Sequence, residues 1–139
     1  TELVRTVKFL LCLASAAFSF SAHAYTADEL RGDCLAAEEF YAAKANADPY
    51  QSIRGARCMA YVAGFADGYA VSDYLAEKVG VTLNAICLPK DKDLPYRLVR
   101  SVLAHLERTP PKSTSSTATL VAAALSKTFP CADQLESKK

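Results

Sequence analysis

The sequence predicts an all-α fold: a compact four-helix domain, arranged as two antiparallel helical hairpins and stapled by two disulfides. Three observations predict it. Apolar residues recur at three- and four-residue intervals in four separate stretches, and no strand-like alternation competes with them. Each stretch is bounded by residues that cap or break helices. Four cysteines remain once the first 24 residues are set aside as an export signal, and an even number in a small exported domain reads as two bridges.

The export signal is read from order and composition. Arg5 and Lys8 form a basic start, and the uncharged apolar run Phe9 to Phe20 follows. Ser21-Ala22-His23-Ala24 then places small residues at the −3 and −1 positions of a cleavage site. The run is shorter than the roughly 20 residues a membrane span needs. Cleavage after Ala24 takes 24 residues from 139 and leaves 115, enough for one domain over residues 25–139, with its core at about 26–131. Glu2, Arg5 and Lys8 leave with the signal, so Lys plus Arg falls from 16 to 14 and Asp plus Glu from 15 to 14. A chain without net charge lacks the basic surplus of a nucleic-acid binder. No later run is long enough to span a membrane, so no membrane span is expected after cleavage.

The first helix opens at Thr26-Ala27-Asp28-Glu29, a capping box, and carries Leu30, Cys34, Ala37 and Tyr41 on one face. Asn46-Ala47-Asp48-Pro49 is expected to end it. The second helix is expected from about Ile53 to Lys78, with Cys58, Val62, Phe65 and Tyr69 on its apolar face. Gly64 and Gly68 lie inside it, each costing about 1 kcal/mol against Ala. Close approach of a neighbouring backbone would compensate; the alternative is a looser helix with a bend. Gly80 suits the left-handed position that closes the helix. After a connector from Val81 to Lys92, Asp93 caps the third helix, with Pro95 in its first turn. Val99, Val102, Leu103 and Leu106 form its stripe, and Thr109-Pro110-Pro111 stops it. The last helix follows the polar stretch 112–117. It is expected to turn Ala118, Val121, Leu125 and Phe129 inward, before Pro130-Cys131.

Cys34, Cys58, Cys87 and Cys131 allow three pairings. Helical geometry favours Cys34–Cys58 across the first hairpin and Cys87–Cys131, where the third helix begins and the fourth ends. In the loop-entropy picture these would contribute roughly 3.5 and 4 kcal/mol. A zinc site is disfavoured: no C-x-x-C or close Cys/His pair exists, and His105 is the one histidine left after cleavage. No metal and no cofactor is expected.

Catalysis finds little support. His105 sits mid-helix without a nucleophile to activate or a group to orient it. Asp67, Asp73 and Glu77 read as a solvated helix face rather than an acid–base pair. The tyrosines are more suggestive. Tyr61, Tyr69 and Tyr74 fall on the second helix and Tyr50 in the first loop, suited either to an interface or to packing. The chain is therefore not expected to be an enzyme.

Cys58-Met59-Ala60-Tyr61-Val62-Ala63-Gly64-Phe65 opens the second helix, Ile86-Cys87-Leu88-Pro89 precedes the third, Thr109-Pro110-Pro111 ends it, and Phe129-Pro130-Cys131 closes the fourth. This ordered set, spanning about Leu30 to Cys131, resembles the Rap/Tai family of immunity proteins linked to type VI secretion. That family carries Cys-x-x-Tyr-Ile/Val-x-Gly, Phe/Ile-Cys-x-Pro and terminal Phe-Pro-Cys elements on a helical domain. The resemblance implies a periplasmic protein of a Gram-negative cell that binds and blocks a peptidoglycan-degrading amidase effector, often as a homodimer. It implies structural roles for the four cysteines and a helix-packing role for Tyr61 and Gly64. Three polar segments are expected to present the partner-binding loops: 47–52 with Asp48 and Tyr50, 89–93 with Lys90, Asp91 and Lys92, and 108–116 with Arg108 and Lys112. The alternative function is a general periplasmic stress or chaperone-like helical protein with no cognate effector.

Overall fold

The computed structural model describes residues 2, 4, 24–42, 48–112 and 115–132; most of the expected export signal lies outside them. The described chain forms helices α1 (Ala27–Tyr41), α2 (Pro49–Glu77), α3 (Leu94–Arg108) and α4 (Thr117–Thr128), with no strand among the described residues. α1 and α2 run antiparallel, as do α3 and α4, and the two hairpins share one core.

Local chemistry sets most of the boundaries. At the start of α1 the Glu29 amide donates to Thr26 Oγ1 at 3.2 Å, and the Thr26 amide donates to Glu29 Oε2 at 2.8 Å. This reciprocal pair satisfies two amides that the first turn leaves open. α1 ends at Tyr41, earlier than the expected stop at 46–49. Asp48-Pro49 begins α2 instead: Asp48 Oδ1 accepts the Tyr50 amide at 2.9 Å, and Pro49 occupies the first turn. Proline there loses no hydrogen bond and arrives with a helical φ. α2 therefore starts four residues before the expected Ile53, and Tyr50 belongs to a helix rather than a loop.

Gly80 ends α2 as expected. Its φ is +78°, its amide donates to the Glu77 carbonyl at 3.1 Å, and the Val81 amide donates to the Ala76 carbonyl at 3.0 Å. These are the two bonds of a Schellman closure, which needs a left-handed residue at this position. Asp93 is the N-cap of α3, but its side chain makes no capping bond. Asp91 does related work: its Oδ1 accepts the Asp93 amide at 3.0 Å and its Oδ2 accepts from Arg97 at 3.1 Å.

The core gathers one stripe from each helix. Leu30, Cys34 and Ala37 of α1 meet Cys58, Val62 and Ala66 of α2. Leu98, Val99, Val102, Leu103 and Leu106 of α3 meet Val121, Ala124 and Leu125 of α4, with Phe129 behind them. Ala118 is exposed, contrary to expectation, and Thr117 takes the inward place. A polar residue is tolerated there because its hydroxyl donates to the Tyr25 carbonyl at 2.6 Å.

Both favoured disulfides are present, Cys34–Cys58 and Cys87–Cys131, each with Cα atoms 5.0 Å apart. The connector between the hairpins is fastened as well. The Ala85 and Ile86 amides donate to the Tyr69 hydroxyl at 2.9 and 3.1 Å, and the Cys87 amide donates to the Phe129 carbonyl at 2.9 Å. Asp73 Oδ1 accepts the Leu83 amide at 3.1 Å, so this carboxylate has a structural use.

Gly64 and Gly68 do not pack against a neighbouring backbone. Both are exposed, and a Cβ at either would meet nothing within 4 Å. The close approach occurs at Gly55, where a Cβ would lie 3.2 Å from the backbone of Ala37. Gly55 is one turn before Cys58, so the disulfide and the glycine bring the same stretch of α1 onto α2. Tyr61 does pack: it is half-buried against the core, and its ring lies 5.0 Å from that of Tyr25.

Candidate partner-binding surface

The pairings between helices divide the molecule into two ends. Glu38 of α1 is ion-paired with Arg100 of α3, and Tyr41 meets Tyr96 with ring centroids 5.3 Å apart. α1 and α3 are therefore antiparallel, and the end of α1 lies beside the starts of α2 and α3. Of the seven residues expected to contact a partner, Asp48, Tyr50, Lys90, Asp91 and Lys92 belong to this end. Arg108 and Lys112 belong to the opposite end. Arg108 closes α3 rather than lying in a loop, and Lys112 lines a hollow of about 690 Å³ with Tyr25, Thr26, Tyr61 and Thr117.

Besides Tyr50, which the sequence reading had singled out, the first end carries an aromatic residue that it missed, Phe40. Phe40 is 67% exposed and Tyr50 65% exposed. Phe40 touches Tyr41 edge-on at 5.9 Å, and Tyr41 continues the contact to Tyr96. A cleft of about 240 Å³ opens here between Tyr41, Lys92, Asp93, Pro95 and Tyr96. The signal available in the sequence was the adjacent pair Phe40-Tyr41, of which a single helix face can bury only one. Burial raises the Tyr41 hydroxyl above its ordinary pKa, while the amide of Asp93 and the Arg97 guanidinium hold the Asp91 carboxyl below the usual carboxylate range. This end thus presents the Asp91–Arg97 ion pair, the exposed Lys90 and Lys92 on either side of Asp91, and exposed rings at helix termini. Rigid rings with polar tips suit recognition of a protein surface.

A polar hub braces α1 against α2. Asp33 is 2% exposed. Its Oδ1 accepts from Arg54 Nε at 3.0 Å, its Oδ2 accepts the Tyr25 hydroxyl at 2.7 Å, and Arg57 Nε lies 3.5 Å from Oδ2. The Arg57 guanidinium also covers the Tyr25 ring at 5.0 Å, and that of Arg54 lies 6.0 Å from the Tyr50 ring. A buried carboxylate persists only when paired in this manner. Gly32 leaves room for the Arg54 guanidinium, which a Cβ would strike. Burial first, then the bond to Asp33 and its charge, push the Tyr25 hydroxyl far above its ordinary value, so it remains a donor and is no nucleophile.

His105 is half-buried, and its Nδ1 has no hydrogen-bond partner. Burial, then the charges of Lys127 and Arg108, lower its pKa. Among the described residues no carboxylate bonds to this Nδ1, as one would in orienting a general base. Among the described residues no three His, Cys, Asp or Glu side chains are grouped to hold a metal ion, and no helix is long and apolar enough to cross a membrane.

Fold and surface together define a class: a small, doubly stapled, all-α domain with exposed rings at one end. Residues 26–131 match the family described as Rap1a immunity proteins. The chain belongs to that family, which places it among immunity proteins directed at secreted effectors. Searches of curated proteins and of solved structures find no match.

Proposed function

We propose that this chain is exported to the periplasm of a Gram-negative cell and there binds and blocks a peptidoglycan-degrading amidase delivered by a type VI secretion system. The observation that carries the reading is the aromatic end of a family member, where Phe40, Tyr41 and Tyr96 form a run of ring contacts and Tyr50 stands exposed at the start of α2. An inhibitor gains from such rigidity, because a preorganised surface loses little conformational entropy on binding. Lys92 lines the cleft beside Tyr41 and Tyr96, and Asp48, Lys90 and Asp91 at the same end would supply the rest of the polar rim. Arg108 and Lys112, at the far end, would contact the same effector only if it wrapped the domain.

The test is capture of an exported amidase with the purified chain, followed by loss of peptidoglycan cleavage in the mixture. Phe40→Ala and Tyr50→Ala should each weaken capture by about 10- to 100-fold, the range of an interface hot spot. Arg108→Ala and Lys112→Ala should leave it within about threefold. Capture that survives the first pair and fails with the second would move the binding surface to the opposite end.

A further inference from the structure

Asp93 opens α3 without capping it. An aspartate at that position ordinarily accepts an amide of the first turn. Asp93 makes no such bond, and its own amide is taken by Asp91 at 3.0 Å. Among the described residues no ion pair engages its carboxylate, and Arg97, one turn along, is held by Asp91 at 3.1 Å. The unspent carboxylate belongs to a residue that lines the cleft of about 240 Å³ at the aromatic end, together with Tyr41, Tyr96, Pro95 and Lys92. Tyr41 and Tyr96 supply two aromatic walls, their centroids 5.3 Å apart and their planes 60° to one another. Burial raises the Tyr41 hydroxyl above its ordinary pKa, so it stays protonated, and it makes no hydrogen bond among the described residues.

We infer that this cleft receives one arginine side chain of the protein that docks on the aromatic end, with the guanidinium against the two rings and bonded to Asp93. The inference rests on reading that end as the partner surface. The cleft is smaller than the roughly 300–1,000 Å³ of small-molecule sites, so it has room for a side chain rather than a whole ligand. Arginine is among the residues that concentrate binding energy in such pockets.

Charge and shape together select the occupant. Docking would cover the Asp93 carboxylate, and a covered carboxylate needs a cation beside it. An apolar or aromatic side chain would suit the rings and leave that charge unpaired. Lysine would bring a charge, but its ammonium is strongly hydrated and has no flat face. A guanidinium is planar and weakly hydrated; it stacks on an aromatic ring and forks onto a carboxylate at the same time. An acidic side chain could reach Lys92, but only by lying against Asp93, which repels it.

The first test needs no effector. N-acetyl-arginine methylamide, titrated through the millimolar range into the oxidised full chain, should shift the ring proton resonances of Tyr41 and Tyr96 along one saturable curve. N-acetyl-norleucine methylamide and N-acetyl-glutamate methylamide should not. Asp93→Asn should weaken the arginine probe about three- to fivefold, as loss of a solvent-exposed ion pair does. It should leave the circular dichroism spectrum unchanged, because the Asp93 side chain caps nothing. Glu107→Gln, exposed near the other end of α3, should leave the curve unchanged. No saturable shift, an equal response to either of the other probes, or a curve that Asp93→Asn does not move would overturn the inference. The second test uses a captured amidase, where docking dries the cleft and Asp93→Asn should weaken capture by at least about 10-fold. Capture that falls with Phe40→Ala but not with Asp93→Asn would overturn the inference and leave the effector reading intact. Failure to capture any amidase would count against that reading, and the arginine titration would still decide the cleft.

Discussion

The Tyr25 hydroxyl donates to Asp33 Oδ2 at 2.7 Å, and Asp33 in turn holds Arg54 at 3.0 Å, so one buried carboxylate ties the entrance of α1 to the first turns of α2. Hydrogen bonds to charged groups contribute about 1.5–3 kcal/mol each. Tyr25→Phe should destabilise the domain by about 1.5 kcal/mol. Asp33→Ala should cost more, about 3 kcal/mol, because it leaves Arg54 and Tyr25 without their acceptor. Urea unfolding of the two variants checks the order; equal losses would mean that the hub is worth no more than one hydrogen bond.

Glycine substitutions in α2 should have opposite signs. Gly55→Ala forces a Cβ to within 3.2 Å of the Ala37 backbone and should destabilise by about 1–3 kcal/mol, since neither helix can yield beside the disulfide. Gly68→Ala meets nothing and should stabilise by about 0.5–1 kcal/mol, through lower entropy of the unfolded chain. Thermal unfolding at low micromolar concentration distinguishes the two.

The disulfides should differ in reactivity. Cys34 and Cys58 are fully buried, whereas Cys87 is exposed although its partner Cys131 is not. A thiolate can attack the second bridge in the folded state but reaches the first only after unfolding. Under mild reductant, mass labelling of free thiols should find Cys87 and Cys131 well before Cys34 and Cys58. Replacing both Cys34 and Cys58 by Ala should remove roughly 3.5 kcal/mol, and replacing the other pair roughly 4 kcal/mol.

His105 should make stability fall in acid. Its ordinary pKa is 6.5, and burial followed by the charges of Lys127 and Arg108 lowers it in the folded domain. The unfolded chain therefore takes up a proton that the folded chain resists. This contribution to stability is fully present above pH 6.5 and is lost as pH falls through the lower folded value. Melting temperatures at pH 7.5 and 5 should converge partly in His105→Leu, which has no proton to bind.

Much of the helical framework was legible in the sequence. Thr26 and Glu29, Gly80 and the spacing of Val99, Val102, Leu103 and Leu106 act over one or two turns, so the residues that send the signal are the ones that respond to it. The misreadings fell where a local signal had two uses. Asp48-Pro49 can end one helix or begin the next, and the chemistry of an N-cap followed by proline decides for the second. Thr117 could turn inward only because the Tyr25 carbonyl, 92 residues away in sequence, accepts its hydroxyl.

The sequence by itself determined that the chain is helical, that Thr26 and Glu29 open the first helix and that Gly80 closes the second, and it favoured one of three cysteine pairings. These follow from periodicity, capping and loop length, all short-range properties. The tertiary structure alone decided which glycine is pressed against a neighbour and which two lie bare. It also decided that Phe40, Tyr41, Tyr50 and Tyr96 share one end while Arg108 and Lys112 stand at the other. A helix presents every face equally until another element covers one. At Gly55 the covering element is α1, drawn in by Cys34–Cys58 and the buried Asp33, whereas at Gly64 the described chain supplies none.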